Sequence, residues 1–361
     1  MITSLQFIWF VTSAVLMAGM FTLVGIDLGV GLVLLSVGKN LRERGEIVRT
    51  IAPHWGAHGV WLITVVTSWF AGFPEWYAAL LSGLQNFFVI MVVALVMRVV
   101  CIEWREHVGP GRARLLDYTH ALAAFFVAAG FVGILSSMIT GLPVVVVNAR
   151  TGAIAPPNLV HPLSVRNPNL SAYVHSVQGT DLVAITLYAA FGTLAICWFM
   201  RYLGATWIGV YARRDTLIGA RSARIRRLDG VVAPVLLFAW TLWGYFVRGG
   251  GMVSYFILAI LAVTCVAQFY FRGRSLRSPR LVGLPLALVV VWAWSAAYPI
   301  LLPSTLDHAY DLSIAWAASS DASLGVLVVA CIFGVIMALF ITFWSHRTFR
   351  VDSRLSSTID G

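Results

Sequence analysis

Hydrophobic positions in this chain form unbroken runs rather than alternating stripes. The runs reach about 20 residues, the length a helix needs to cross a bilayer, and lack the two-residue alternation of barrel strands. The pattern predicts about nine spans: Leu5 to Val37, Trp55 to Ala71, Trp76 to Cys101, Leu116 to Thr140, Asp181 to Trp207, Val231 to Val247, Val253 to Phe271, Leu281 to Leu302 and Leu324 to Trp344. The first run is too long for one straight span. Its glycines predict a kink or an extension beyond the bilayer. A cleaved secretory leader is not expected, because the first charged side chain is Asp27 and no basic stretch precedes the apolar run.

Polar positions between the runs set an orientation. Lys39, Arg42, Arg44 and Arg49, then Arg105, Arg112 and Arg114, then Arg213, Arg214, Arg221, Arg224, Arg226 and Arg227, then Arg272, Arg274, Arg277 and Arg280, and finally Arg347, Arg350 and Arg354 fall on one side. Only Arg150, Arg166 and Arg248 fall on the other. The positive-inside rule then predicts an outer amino terminus, a cytoplasmic carboxyl terminus and an odd number of spans. The net charge of +10 is on this reading a topology signal, not a nucleic-acid footprint.

Composition agrees. With 60% hydrophobic and 11% charged residues, the chain lies far from the soluble norm of about 45 to 50% apolar and 25% charged. The expected fold is an all-α integral membrane protein forming a single membrane domain over residues 1–361. Amino-terminal helices occupy 5–140, an outer loop 141–180, carboxyl-terminal helices 181–345 and a cytoplasmic tail 346–361. The outer loop, with Pro143, Pro156, Pro157, Pro162 and Pro168, either packs over the mouth of the bundle or is a loose connection. Cys101, Cys197, Cys265 and Cys331 lie in or beside spans without a C-x-x-C spacing and read as small buried packers.

Candidate chemistry starts at Asp27, within Gly25-Ile-Asp-Leu-Gly-Val-Gly31. An aspartate near the centre of a membrane helix costs about 2.5 to 3.5 kcal/mol on insertion scales, so it is a functional candidate unless it sits hydrated or capped at a helix end. His54 and His58 are four apart and share a helical face, near enough for a proton path or a ligand; backbone-bonded interface histidines show the same spacing. Pro53 suits a first helical turn, and Trp55 and Trp61 would anchor or pack that helix. Arg98 and Arg201, near inner span ends, either snorkel to the interface or face a partner. Glu75, at a short outer turn before Trp76, reads as an interfacial acid rather than a proton exit. No metal-ligand set is seen.

The motifs Gly25-Ile-Asp-Leu-Gly-Val-Gly31, Ala52-Pro-His-Trp-Gly-Ala-His-Gly-Val-Trp-Leu62 and Phe73-Pro-Glu-Trp-Tyr-Ala78 resemble, in order and spacing, those of subunit II of the cytochrome bd-type quinol oxidases. Weaker matches are Tyr202-Leu-Gly-Ala-Thr206, Tyr298-Pro-Ile-Leu-Leu-Pro-Ser304 and Ala317-Ala-Ser-Ser320. The resemblance implies a nine-helix subunit of the bacterial plasma membrane with no haem of its own. Its partner would be a haem-bearing subunit I carrying haem b and haem d, with quinol oxidised, oxygen reduced to water and protons drawn from the cytoplasm. A small single-helix subunit and a bound quinone or lipid are further expectations.

The chain departs from the family at polar positions. The acid before the first glycine is Val24, and the Asp, Asn and Glu of Trp-Asp-Gly-Asn-Glu-Val are Gly56, His58 and Gly59. Asp27 alone survives of that set. His58 could replace the missing acid, glycine could admit water, or the route could be closed. A transporter or channel-like protein with a polar path through Asp27 and His58 is the alternative function.

Overall fold

The computed structural model describes residues 2–157, 160, 173–179, 185–212, 216–271 and 279–348. Pro162, Pro168, Arg166, Arg213, Arg214, Arg272, Arg274, Arg277, Arg350, Arg354, the expected span start at Asp181 and most of the tail lie outside the described residues.

Helix α1 (Ser4–Val37) begins with a capping box between Thr3 and Gln6 and runs unbroken for 34 residues, about 51 Å at 1.5 Å per residue. The glycines of this run therefore do not interrupt the helix. Amphipathic α2 (Leu41–Arg49) follows, capped by Asn40. Next come α3 (Trp55–Gly72), α4 (Pro74–Gly83), α5 (Gln85–Trp104) and α6 (Pro110–Thr140). Strands β1 (Val144–Asn148) and β2 (Tyr173–Val177) pair antiparallel. The second half holds α7 (Leu187–Tyr211), α8 (Leu217–Arg248), α9 (Met252–Phe271), α10 (Pro279–Ala296), the short pair β3 (Ile300–Leu302) and β4 (Leu312–Ser313), α11 (Ile314–Ala317) and α12 (Asp321–Thr348).

Among the described residues, α1, α5, α6, α7, α8, α9 and α12 are long and apolar enough to cross a membrane. The pair α3 and α4, bent by 109°, would make an eighth span, and the apolar part of α10 is shorter. The expected third span from Trp76 is therefore broken: Pro74 starts α4, Leu84 leaves helical space at φ −124 and ψ 34, and α5 begins only at Gln85. The expected eighth span to Leu302 also stops early, because Pro299 and Pro303 cannot donate to a helical ladder and Ile300–Leu302 pairs as a strand.

Helix α1 is the axis of the bundle, packed by α3, α6, α7 and α10. Its glycines let neighbours approach. A Cβ on Gly29 would lie 1.9 Å from the Met200 carbonyl oxygen, so only glycine fits where α1 crosses α7. Thr3 Oγ1 bonds Asp321 Oδ1 at 2.8 Å, which starts α1 and α12 side by side. Ser319 N bonds the Gly72 carbonyl at 3.0 Å, so α3 ends where those two begin and runs against them. That register brings the start of α3 to the far ends of α1 and α12.

Candidate functional site

Asp27 is fully buried in α1 and cannot reach water; its carboxylate is held by other helices. His58 Nδ1 from α3 lies 2.8 Å from Asp27 Oδ1, and Arg98 Nη1 from α5 lies 3.6 Å from Oδ2. A buried charge needs a counter-charge and hydrogen bonds to persist: Asp27 and Arg98 are each other's counter-charge, and His58 supplies the hydrogen bond at Oδ1. Arg98 is 3% exposed, so it does not snorkel: its span carries it into the bundle, where Asp27 binds it. Arg201 is half-buried and pairs with Asp229 at 3.0 Å, with Trp198 Nε1 donating to the same carboxylate.

His58 Nε2 lies 3.2 Å from His346 Nε2 on α12. His54 stacks on His346 with ring centroids 4.8 Å apart, and His54 Nδ1 lies 2.9 Å from Ser345 Oγ. Ser345 Oγ also donates to the Pro53 carbonyl, and Trp61 Nε1 donates to Thr342 Oγ1 at 3.0 Å. Trp207 from α7 closes the cluster, its ring edge-on to His54, His58 and His346. The expected face-sharing of His54 and His58 is thus observed, and both are fully buried. Sequence reading missed His346, which terminates the last apolar run one residue before Arg347.

His120 on α6 was missed as well, although a titratable residue within an apolar run is the same signal that marks Asp27. It is buried, it would lie 3.1 Å from a Cβ on Gly31, and among the described residues neither ring nitrogen makes a well-formed hydrogen bond. Asp27 Oδ2 and Arg98 Nη1 share that lack. Gly25 faces Leu286 and Leu203. Trp55 Nε1 donates to Glu103 at 2.7 Å. Gly56 is exposed and among the described residues a Cβ there would meet nothing within 4 Å, as at Gly59, whereas His58 points inward. A carboxylate at position 56 would face out of the bundle, so His58 does not occupy its place.

Glu75 is distant from this cluster. Its Oε1 accepts from the backbone N–H and Nδ1 of His175 on β2, at 3.1 and 2.9 Å, and from Trp316 Nε1 at 3.0 Å. It ties the bend after Pro74 to the strand pair and α11. At the arginine-rich end, Asp117 is buried between Arg105, at 2.5 Å, and Arg44, at 3.8 Å. Arg221 bonds Glu43 at 2.6 Å, fixing α2 against α8.

Among the described residues no group of three or more His, Cys, Asp or Glu side chains is arranged to hold a metal ion. His58 has both ring nitrogens engaged, and His54 Nδ1 is bonded to Ser345. What the arrangement supports is proton exchange between an imidazole and a carboxylate.

A bundle of long apolar helices with a charge cluster sealed inside it is a multi-pass integral membrane protein. Residues 5–349 match the family described as cytochrome bd terminal oxidase subunit II, and the chain belongs to that family. It is similar to the cytochrome bd ubiquinol oxidase subunit 2 of Bacillus subtilis, 29% identical with 96% of each chain covered. It is also similar to the probable cytochrome oxidase subunit 2 of Haemophilus influenzae, 24% identical over 95% of this chain and 93% of that one. Over 110 residues, 30% of this chain and 29% of the relative, it is 36% identical to the cytochrome bd-I ubiquinol oxidase subunit 2 of Escherichia coli. A solved chain described as the bd oxidase from Geobacillus thermodenitrificans shares the fold, with a TM-score of 0.63 and 17% identity over 96% of this chain and 99% of that one. Membership makes the chain a subunit of a bacterial respiratory terminal oxidase and leaves the transporter alternative without support.

Proposed function

We propose that this chain is the haem-free subunit II of a quinol-oxidising bd-type complex in the bacterial plasma membrane, paired with a haem-bearing subunit I, and that Asp27 with His58 helps supply cytoplasmic protons. The haem b and haem d of the partner would supply the electron transfer and oxygen chemistry. Two quinols release four electrons and four protons on the outer side, and one oxygen takes four electrons and four protons from the inner side to give two waters. A small single-helix subunit and a bound quinone or lipid complete the proposed assembly.

The observation that carries the proton role is the Asp27 carboxylate, sealed from solvent yet hydrogen-bonded to an imidazole. Asp27 lies 24 residues from Thr3, about 36 Å along α1, so about 30 Å of hydrocarbon starting near Thr3 would place it toward the arginine-rich face. A route from the cytoplasm need cross only a short distance. The test is Asp27→Asn in the co-expressed complex, which keeps shape and loses the exchangeable proton. Assembly and haem content should persist while quinol-driven oxygen consumption falls at least about tenfold. Unchanged turnover would overturn the role, and lost assembly would make Asp27 structural.

A further inference from the structure

Resting on that reading, we infer that His346, the penultimate residue but one of α12, is the water-side mouth of the route, and that His346 and His58 form a two-imidazole relay ending on Asp27. Three observations converge. His346 is half-buried, whereas His54, His58 and Asp27 are fully buried. Its Nε2 faces His58 Nε2 at 3.2 Å, and the opposite nitrogen of His58 faces Asp27 Oδ1 at 2.8 Å. His346 also lies beside Arg347 in the last turn of α12, at the arginine-rich end of the bundle.

The chemistry follows from what a neutral imidazole is: a donor at one nitrogen and an acceptor at the other. His58 donates from Nδ1 to Asp27, so its Nε2 accepts and His346 donates from Nε2. A proton arriving from water on His346 Nδ1 lets the Nε2 proton pass to His58 Nε2, and His58 then gives its Nδ1 proton to Asp27 Oδ1. Each ring gains one N–H and loses one, ending neutral in the other tautomer; the carboxylate becomes the acid. No electrons move. Among the described residues, the charged or titratable groups around the relay include His54, stacked on His346; Arg98, paired with Asp27; His120, which feels the charges of both Asp27 and Arg98; and Arg347, next in sequence. His54, bonded to Ser345, is a positioning residue that fixes the ring of its neighbour. The relay makes an acid at position 56 unnecessary, since that position faces outward and His346 reaches the interior from a different helix.

The test uses the whole complex reconstituted in vesicles, measuring oxygen consumption and proton uptake from the arginine-rich side. His346→Ala should slow both about tenfold, with the haem spectrum unchanged. Added imidazole should restore the rate, and pyrazole, the same size but a far weaker base, should not. His346→Gln, which keeps a hydrogen bond to His58 but cannot relay, should be as slow as His346→Ala and carries the test if the alanine variant does not assemble. A normal rate in either variant, or equal rescue by pyrazole, overturns the relay. If Asp27→Asn is slow while His346 variants are normal, the mouth lies elsewhere and the proposed function stands; if all are normal, that function fails too.

Discussion

Gly29→Ala adds one methyl group at the tightest point of the bundle. Its Cβ would sit 1.9 Å from the Met200 carbonyl oxygen and 2.8 Å from the Gly204 nitrogen, both backbone atoms that no rotamer change can move. A carbon and a carbonyl oxygen rest about 3.3 Å apart, so α1 and α7 must separate by about 1.4 Å. Overpacking of this kind costs about 1 to 3 kcal/mol, and a backbone obstacle puts the variant at the upper end. The consequence reaches the site, because Asp27 is two residues from Gly29. A displacement near 1 Å would carry its 2.8 Å contact to His58 beyond hydrogen-bonding range.

The assay is the thermal midpoint of the purified complex, followed by haem absorbance, with oxygen consumption measured in parallel. Gly334→Ala on α12 is the control: among the described residues a Cβ there meets nothing within 4 Å, and the exchange should be neutral or stabilising by up to about 1 kcal/mol. Gly29→Ala should lower the midpoint and the activity together. Equal stability of the two variants would refute the close crossing of α1 and α7.

Other outcomes follow from the same contacts. Arg98→Leu leaves Asp27 without its guanidinium and should cost about 3 to 5 kcal/mol, seen as loss of assembled complex, while Asp27→Asn with Arg98→Leu should recover much of it. If the double variant is no better than the single, the two side chains are not coupled. Glu75→Gln removes the charge that three donors share and should cost about 1 to 3 kcal/mol locally, read as faster hydrogen exchange of the Tyr173–Val177 amides. Exchange unchanged there would mean that the strand pair is held by other contacts.

Asp27 was legible in the sequence because its cost is local: a carboxylate in an apolar run stands out whatever surrounds it. The pairing of His54 with His58 was legible because four residues make one helical turn. The rest of the cluster was not, for a physical reason. His346 lies 288 residues from His58, and only the parallel register of α1 and α12 brings them together. The surroundings of Arg98 stayed open because snorkelling depends on its distance from the interface and on what lies beside it, neither of which its own apolar run contains. The bend after Phe73 was legible, since Pro74 and Glu75 interrupt the apolar pattern there; the break at Leu84 was not, because the run from Trp76 to Cys101 stays apolar through the point where α4 ends and α5 begins.

Helix α12 shows what holds the site together. Only 11% of its apolar window is buried, and lipid offers no hydrophobic drive for helices to associate, so its docking rests on polar contacts at its two ends. Thr3 bonds Asp321 at the start; Trp61 bonds Thr342 and His54 bonds Ser345 at the finish. Interhelical hydrogen bonds in membranes average about 0.6 kcal/mol and reach about 1.7 kcal/mol, so losing two costs about 1 to 3 kcal/mol. Thr342→Val with Ser345→Ala should therefore free the end of α12 without unfolding the bundle, and carry His346 away from His58. Hydrogen exchange in the last turn of α12 should rise and oxygen consumption should fall, while the haem spectrum holds. A last turn as protected as before would show that packing, not these two hydroxyls, docks the helix.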